Sequence, residues 1–431
     1  MERTPLVLVT GLRRGLVARA AGDVLGSSPG TVLVHTDVGD LGSGVVVRTV
    51  REHRPEGVVE HRTAVELAHG CLSCTLRLDL LPLLRTLAAR TEVTRIVLEL
   101  DPTLEPEHLC WAIARVVLDE DAATPATAGD SVQVTGVVGV VDRATWLADA
   151  TGDEELADLG LAALPGDERT VAQVLVDATA FADVLLLTGE APDGWSAAQL
   201  AAVLDRLAPA VPRVDLAGWN PTEVLAGVGE KSRRGRPTSA HDPLLAGEPP
   251  LGEDAGVTLV HFSADRPFFP ERLHEAIDVL LEGVVTSRGR CWLASQPDRV
   301  IWLQSAGAGL RVADAGPWLA ALPDDAWADV PDERRAAAAL RWDATHGDRH
   351  TELVVLTHGQ SPQLINAALQ DALLTDTELA AGPGAWQRLP DPFGTWHADP
   401  STEVDDLDDL YGLDDIDETD VFTSNSEERN R

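Results

Sequence analysis

Short runs of Val, Leu and Ile alternate with stretches of helical spacing over the first half of the chain, and this alternation restricts the fold more than any other feature. Runs at 6–10, 31–35, 94–100, 134–141, 184–188 and 211–214 have the length and composition of buried strands. Between them, 76–89, 107–118, 169–180 and 197–207 carry apolar residues at helical intervals. Strands joined by helical crossovers pair in parallel and need cover on both faces, so 1–219 is predicted as an α/β domain, a doubly wound, mostly parallel sheet. At 431 residues and 44% hydrophobic, the chain is long enough for two to three domains.

The pattern breaks over 220–254, where Lys231-Ser232-Arg233-Arg234-Gly235-Arg236-Pro237 is followed by Pro/Gly-rich sequence, predicting a linker. Arg233, Arg234 and Arg236 form the one local concentration of positive charge, read either as a solvated loop or as a contact for phosphate or an acidic protein. Over 255–381, strand patterns at 257–262, 283–293, 300–304, 310–313 and 352–358 and helices at 272–281 and 362–374 predict a smaller α+β domain, with an antiparallel sheet and helices on one face. Residues 382–431 hold a short aromatic segment, Asp391-Pro392-Phe393-Gly394-Thr395-Trp396-His397, expected to dock, and an Asp/Glu-dominated tail from 399 that is expected to be disordered.

Seventy acidic residues against 34 basic ones give a net charge of −36, a surface that repels nucleic-acid backbones and suits either a basic protein partner or simple solubility. No stretch reaches the roughly 20 apolar residues of a membrane span, and the N-terminus runs directly into a strand pattern. The expected location is the cytoplasm. Four cysteines, Cys71, Cys74, Cys110 and Cys291, are too few for a disulfide framework at this length.

Gly11-Leu12-Arg13-Arg14-Gly15-Leu16-Val17-Ala18 follows the first strand, the position of a phosphate-binding loop. Such a loop uses glycines to converge N–H groups on phosphate, a lysine for the terminal phosphates and a hydroxyl for magnesium. Gly11 and Gly15 remain; the lysine place is Val17 and the hydroxyl place Ala18, and the single lysine of the chain, Lys231, lies far away in the linker. Arg13 and Arg14 could offer charge, but a planar guanidinium does not reproduce a lysine folded over its own loop. A base-reading Asn-Lys-x-Asp is replaced by Thr188-Gly189-Glu190-Ala191, and Glu99 at the end of a strand could hold a water. Efficient GTP hydrolysis with magnesium is therefore not expected, and residual nucleotide binding at the helix N-terminus stays open.

Residues 69–77, His69-Gly70-Cys71-Leu72-Ser73-Cys74-Thr75-Leu76-Arg77, hold two cysteines across one turn. Three readings stand: a zinc site, a redox pair, or two small buried hydrophobes. For zinc, His69 is adjacent, and Glu66, His61 and His53 lie upstream as further ligand candidates. Cys110 and Cys291 sit on apolar faces and read as core.

These features in this order resemble the CobW-like family, metallochaperones built on a P-loop GTPase scaffold. The resemblance is carried by the early glycine loop, Gly70-Cys71-Leu72-Ser73-Cys74-Thr75, the run Glu99 to Pro106 and Val141-Asp142 in the first domain. In the second it is carried by Arg266-Pro267-Phe268-Phe269-Pro270, Arg288-Gly289-Arg290-Cys291-Trp292-Leu293 and Gly347-Asp348-Arg349-His350. Family members carry Cys-x-Cys-Cys, and here Ser73 takes the middle place. The segment His69 to Thr75, Ser232 to Arg236, His241 to Gly247 and Asp391 to His397 are similar to a branch described as protein-Y recruitment factors. What this resemblance implies is a scaffold that helps a hibernation-promoting factor occupy the small ribosomal subunit under zinc starvation, with zinc acting at Cys71, Cys74 and His69. A zinc metallochaperone or a GTP-binding protein is the alternative.

Overall fold

The computed structural model describes residues 3–67, 70–118, 126–164, 166–229, 232–245 and 247–394. The larger sheet is built around β1 (Thr4–Thr10), whose Leu6, Val7, Leu8 and Val9 are at most 1% exposed, as a strand covered on both faces requires. With β2 (Thr31–Asp37), β3 (Val45–Arg54), β4 (Gly57–Glu66), β5 (Arg95–Glu99), β6 (Val132–Asp142), β7 (Val184–Thr188) and β8 (Arg213–Asp215) it forms the order β4-β3-β2-β5-β1-β6-β7-β8. β2, β5, β1, β6, β7 and β8 pair in parallel, while β3 and β4 extend one edge as an antiparallel hairpin.

The sequence did not predict that hairpin. Its outer strand, β4, is exposed at most positions and carries Glu60, His61, Arg62 and Glu66, so no apolar alternation marks it. The helices α1 (Arg14–Gly26), α2 (Leu72–Thr75), α3 (Leu81–Ala88), α4 (Pro106–Arg115), α5 (Trp146–Thr151), α6 (Val171–Phe181), α7 (Gly194–Leu207) and α8 (Pro221–Ala226) cover both faces. The helix expected at 76–89 is instead divided: a wide turn at Leu76–Leu80 precedes α3. Pro82 has no N–H to give a regular helix there, which accounts for the change of pitch.

The smaller sheet has the order β12-β11-β10-β13-β9 and is antiparallel throughout, from β9 (Val257–Ala264), β10 (Val284–Cys291), β11 (Arg299–Ala306), β12 (Gly309–Pro317) and β13 (Thr351–His358). On one face lie α9 (Pro270–Leu281) and α11 (Pro362–Ala372), which bury Leu273, Ile277, Ile365 and Leu369 against Phe262, Leu303 and Val355. An unpredicted α10 (Asp332–Arg341) has five charged residues among its ten and buries only Ala338. Gly289 lets β13 approach closely, since a Cβ there would stand 2.0 Å from the Glu352 carbonyl oxygen.

The opposite face of the smaller sheet belongs to the larger domain. Val257, Leu259, Val285 and Leu356 share one core with Val171, Leu175, Leu200 and Leu204 of α6 and α7. The turn between β11 and β12 seats against this helix layer: Ala308 N–H donates to the Gly152 carbonyl at 3.2 Å, and Gly307 has no room for a Cβ. The connecting segment threads between the domains and is pinned at both. Arg234 N–H donates to Asp183 at 3.0 Å and its guanidinium to the Val228 carbonyl at 2.6 Å, while Arg290 donates to the carbonyls of Ala240 (3.0 Å) and Asp242 (3.2 Å). Of the aromatic segment, Asp391 accepts from Ser295 and Gln296 and Phe393 is buried against the smaller domain; residues 395–397 and the acidic tail lie outside the described residues. Among the described residues no helix is long and apolar enough to cross a membrane.

Candidate functional site

Two turns at the same end of the larger sheet carry the residues singled out by sequence. The first leads from β1 into α1. Gly11 passes so close to β6 that a Cβ would meet the Val140 carbonyl oxygen at 2.9 Å, whereas Gly15 faces open space. Val17 is 1% exposed and packs in the core with Val9, Leu33 and Val138. Arg13 donates to Thr145 at 2.9 Å and to Asp149 at 2.7 Å. Arg14 forms a two-point contact with Asp101 at 3.0 and 2.9 Å, and Asp101, 1% exposed, also accepts the Thr103 N–H and hydroxyl. Both arginines are thus matched to carboxylates of the chain itself. Glu99 ends β5 nearly buried, with His35 at 3.5 Å and Arg51 at 3.8 Å, and its Oε2 makes no hydrogen bond.

The second turn follows the β3–β4 hairpin. Gly70 lies against the Leu41 carbonyl too closely for any side chain, which sets the chain for the turn at Cys71. Cys71 caps α2, its Sγ accepting the Cys74 N–H at 3.2 Å, and both cysteines are free and half-buried. Burial, together with the Cys71 sulfur, pushes the Cys74 thiol up to about 11. A cation placed between the sulfurs would reverse that shift, because a coordinated thiol is held as the thiolate.

The structure does not bring the upstream histidines to this turn. Register places His53 opposite Val58 and His61 opposite Val50, whereas the hairpin end nearest Gly70 holds Val45 paired with Glu66. At about 3.3 Å per residue, His53 lies roughly 26 Å along the strand from that end. No group of three or more His, Cys, Asp or Glu that could hold a metal occurs among the described residues, and His69 lies outside them.

Cys71 and Cys74 open on a cavity of about 1640 Å³ between the two domains. Sequence reasoning named neither this cavity nor most of its charged lining. Glu105, at the start of α4, pairs with Arg169 at 2.6 Å, His108 at 3.3 Å and Arg311 at 4.0 Å. Burial alone would raise its pKa, but His108, Arg311 and Arg169 outweigh that and hold it at about 2. Asp177 of α6 accepts from Gln304 at 2.8 Å, and burial, reinforced by Glu105, moves its carboxyl up to about 7. His241 of the connecting segment is kept neutral, its pKa driven down to about 3 by burial and by Arg334 and Arg290. The runs Glu99 to Pro106 and Arg288 to Leu293 held a signal for Glu105 and Arg288; nothing in the sequence marks Asp177 or Gln304.

Of the arginine cluster, Arg233 donates to Thr238 at 2.9 Å and covers the Phe181 ring at 5.3 Å, Arg234 is spent on the contacts given above, and Arg236 is exposed with a 3.4 Å bond to the Arg233 carbonyl.

Residues 38–213 match the family described as CobW/HypB/UreG, nucleotide-binding domain, and residues 257–373 match the cobalamin synthesis protein cobW C-terminal domain. The zinc chaperone Rv0106 of Mycobacterium tuberculosis is 45% identical over 406 residues, covering 94% of this chain and 96% of its own. The zinc-regulated GTPase metalloprotein activator 1 of Dictyostelium discoideum is 28% identical over 343 residues, 76% of this chain and 70% of that one. Among solved structures, the Zn(II)-bound YjiA GTPase from E. coli is similar with a TM-score of 0.36 at 16% identity, covering 86% of this chain and 99% of that chain. A nucleotide-binding-type sheet, a CobW C-terminal domain and a 45% identical relative spanning nearly the whole chain together make this protein a member of the CobW family.

Proposed function

We propose that this chain is a zinc-handling CobW protein that holds the ion at Cys71 and Cys74 and works without GTP turnover. The observation that carries the reading is the cysteine pair itself: two sulfurs bracket one turn, the Cys71 sulfur accepts the Cys74 backbone N–H, and both residues line a cavity large enough for the segment that would receive or supply the metal. The names of the relatives, a zinc chaperone and a zinc-regulated GTPase metalloprotein activator, favour zinc delivery. Against nucleotide chemistry stand Val17 and Ala18 where a lysine and a hydroxyl are needed, and two arginines already neutralised by Asp149 and Asp101. The residues present therefore do not fit a magnesium–triphosphate, and no step is assigned to one. Four free cysteines suit the reducing cytoplasm as the place of action.

Equilibrium dialysis against zinc tests this. Stoichiometric retention lost in the Cys71→Ser, Cys74→Ser double variant supports it; no bound zinc in the reduced wild type overturns it. Titration with a fluorescent GTP analogue, with and without magnesium, tests the nucleotide part.

A second reading is recruitment of a hibernation-promoting factor to the small ribosomal subunit in zinc starvation, with Arg233, Arg234 and Arg236 as contacts. It is supported by the charge of −36, which favours encounter with a basic partner. A tagged copy would then co-sediment with ribosomes from zinc-poor cells and not from zinc-rich ones.

A further inference from the structure

Arg288 stands on β10 beside Gln304 of β11, which in turn stands beside Arg311 of β12. Directly paired residues of an antiparallel sheet project to the same side, so the three form one row across the sheet, and all three line the inter-domain cavity. Arg288 is a half-buried guanidinium that, among the described residues, makes one hydrogen bond, to the Leu244 carbonyl at 2.9 Å, and no ion pair. A guanidinium carries five N–H donors, and those of Arg288 that are left over face the cavity. Asp177, which with Glu107 acts on Arg288 through its charge, accepts a hydrogen bond from Gln304 at 2.8 Å. Across the cavity Arg233 adds a second positive charge, opposed to that of Arg288.

We propose that Arg288, Gln304 and Arg233 form a binding site for an oxyanion, the carboxylate or phosphate of a small molecule that enters between the two domains. A half-buried guanidinium with one carbonyl partner keeps donors for an anion reaching it through the cavity, and a planar fork suits both carboxylate and phosphate. Burial and the like charge of Arg233 depress the Arg288 pKa against the opposing pull of Asp177 and Glu107, and a bound anion would act in the same direction as those carboxylates. The site is built from the Arg288-Gly289-Arg290 motif, for which zinc binding at Cys71 and Cys74 has no use.

Calorimetric titration of the full-length protein with inorganic phosphate and, separately, with succinate, at ionic strength held constant with sodium chloride, tests the site. At least one titrant is expected to bind saturably, and which one does so identifies the source of the oxyanion. Arg288→Gln is expected to weaken that binding about tenfold or more, with partial recovery in Arg288→Lys and unchanged zinc retention. Binding of neither titrant, or equal binding by wild type and Arg288→Gln, overturns the proposal. Should Arg288→Gln fail to fold, phenylglyoxal modification of the wild type mapped by mass spectrometry replaces it: protection of Arg288 by the bound anion supports the site, and equal modification with and without anion refutes it.

Discussion

The Gly11–Arg14 turn and the Cys71–Cys74 turn both lead from the larger sheet into a helix, and they use their polar groups in opposite ways. At the first, every charge is answered from within: Arg13 by Asp149, Arg14 by buried Asp101, and the position that would carry a lysine is a valine in the core. At the second, among the described residues, the Cys71 sulfur accepts one backbone N–H, the Cys74 thiol lies against that sulfur, and both residues line a cavity. A turn whose groups are satisfied by the fold adds stability, whereas one whose groups are left short has capacity for something from outside.

The sharpest way to break this contrast is at the cysteines. Replacing both by serine should reduce retained zinc from about one equivalent to background, a loss of roughly a hundredfold or more in affinity by competition with a chromogenic chelator. Retention in the double variant would remove the distinction between the turns.

The closed turn is tested by forcing it open. Val17→Lys with Ala18→Thr restores the groups of a phosphate loop but puts an ammonium into an apolar core, so urea unfolding should show a loss of about 3 kcal/mol or more. Val17→Ala should cost about 2 kcal/mol. Magnesium-dependent GTP turnover by the lysine variant would mean that the turn is more open than its packing indicates.

On the cavity side, Asp177 supplies a pH dependence. Its carboxyl titrates at about 7 in the fold and near 3.8 when unfolded, so the unfolded chain gives up the proton first. Stability contributed by the protonated form is therefore lost as pH rises from 3.8 to about 7, a change on the order of 2–4 kcal/mol. Asp177→Asn should flatten this slope in denaturation curves taken between pH 4.5 and 8. Glu105 has the opposite sign: its folded pKa of about 2 lies below the ordinary 4.5, so its contribution is complete above 4.5 and disappears as pH falls toward 2.

The smallest effect belongs to Arg13, which is 38% exposed; Arg13→Ala should cost only about 0.5 kcal/mol in thermal unfolding, because water screens the pair with Asp149. Arg14→Ala, which leaves buried Asp101 short of its cation, should cost more, about 2 kcal/mol.

The parallel strands were legible because a strand covered on both faces must be apolar along its length, as β1 and β5 are. The β3–β4 hairpin was not, since an edge facing water needs no such run, and α10 was hidden by its charged composition. The cysteine pair could be read because both ligand candidates fall within one turn. Its relation to His53 and His61 could not, because a strand's length separates what a short stretch of sequence appears to join.

Sequence alone determined the parallel strands of the larger sheet, the valine and alanine at positions 17 and 18 after β1, and the pair of thiols, since each is a matter of residue type at short range. Only the tertiary structure decided which charges are answered. Apart from His108 beside Glu105, the partners of Arg14, Glu105 and Asp177 come from segments 64 to 206 residues away, and the row of Arg288, Gln304 and Arg311 exists only through the pairing of three strands. Burial and neighbouring charge set the chemistry of a side chain, and both are properties of the packed molecule.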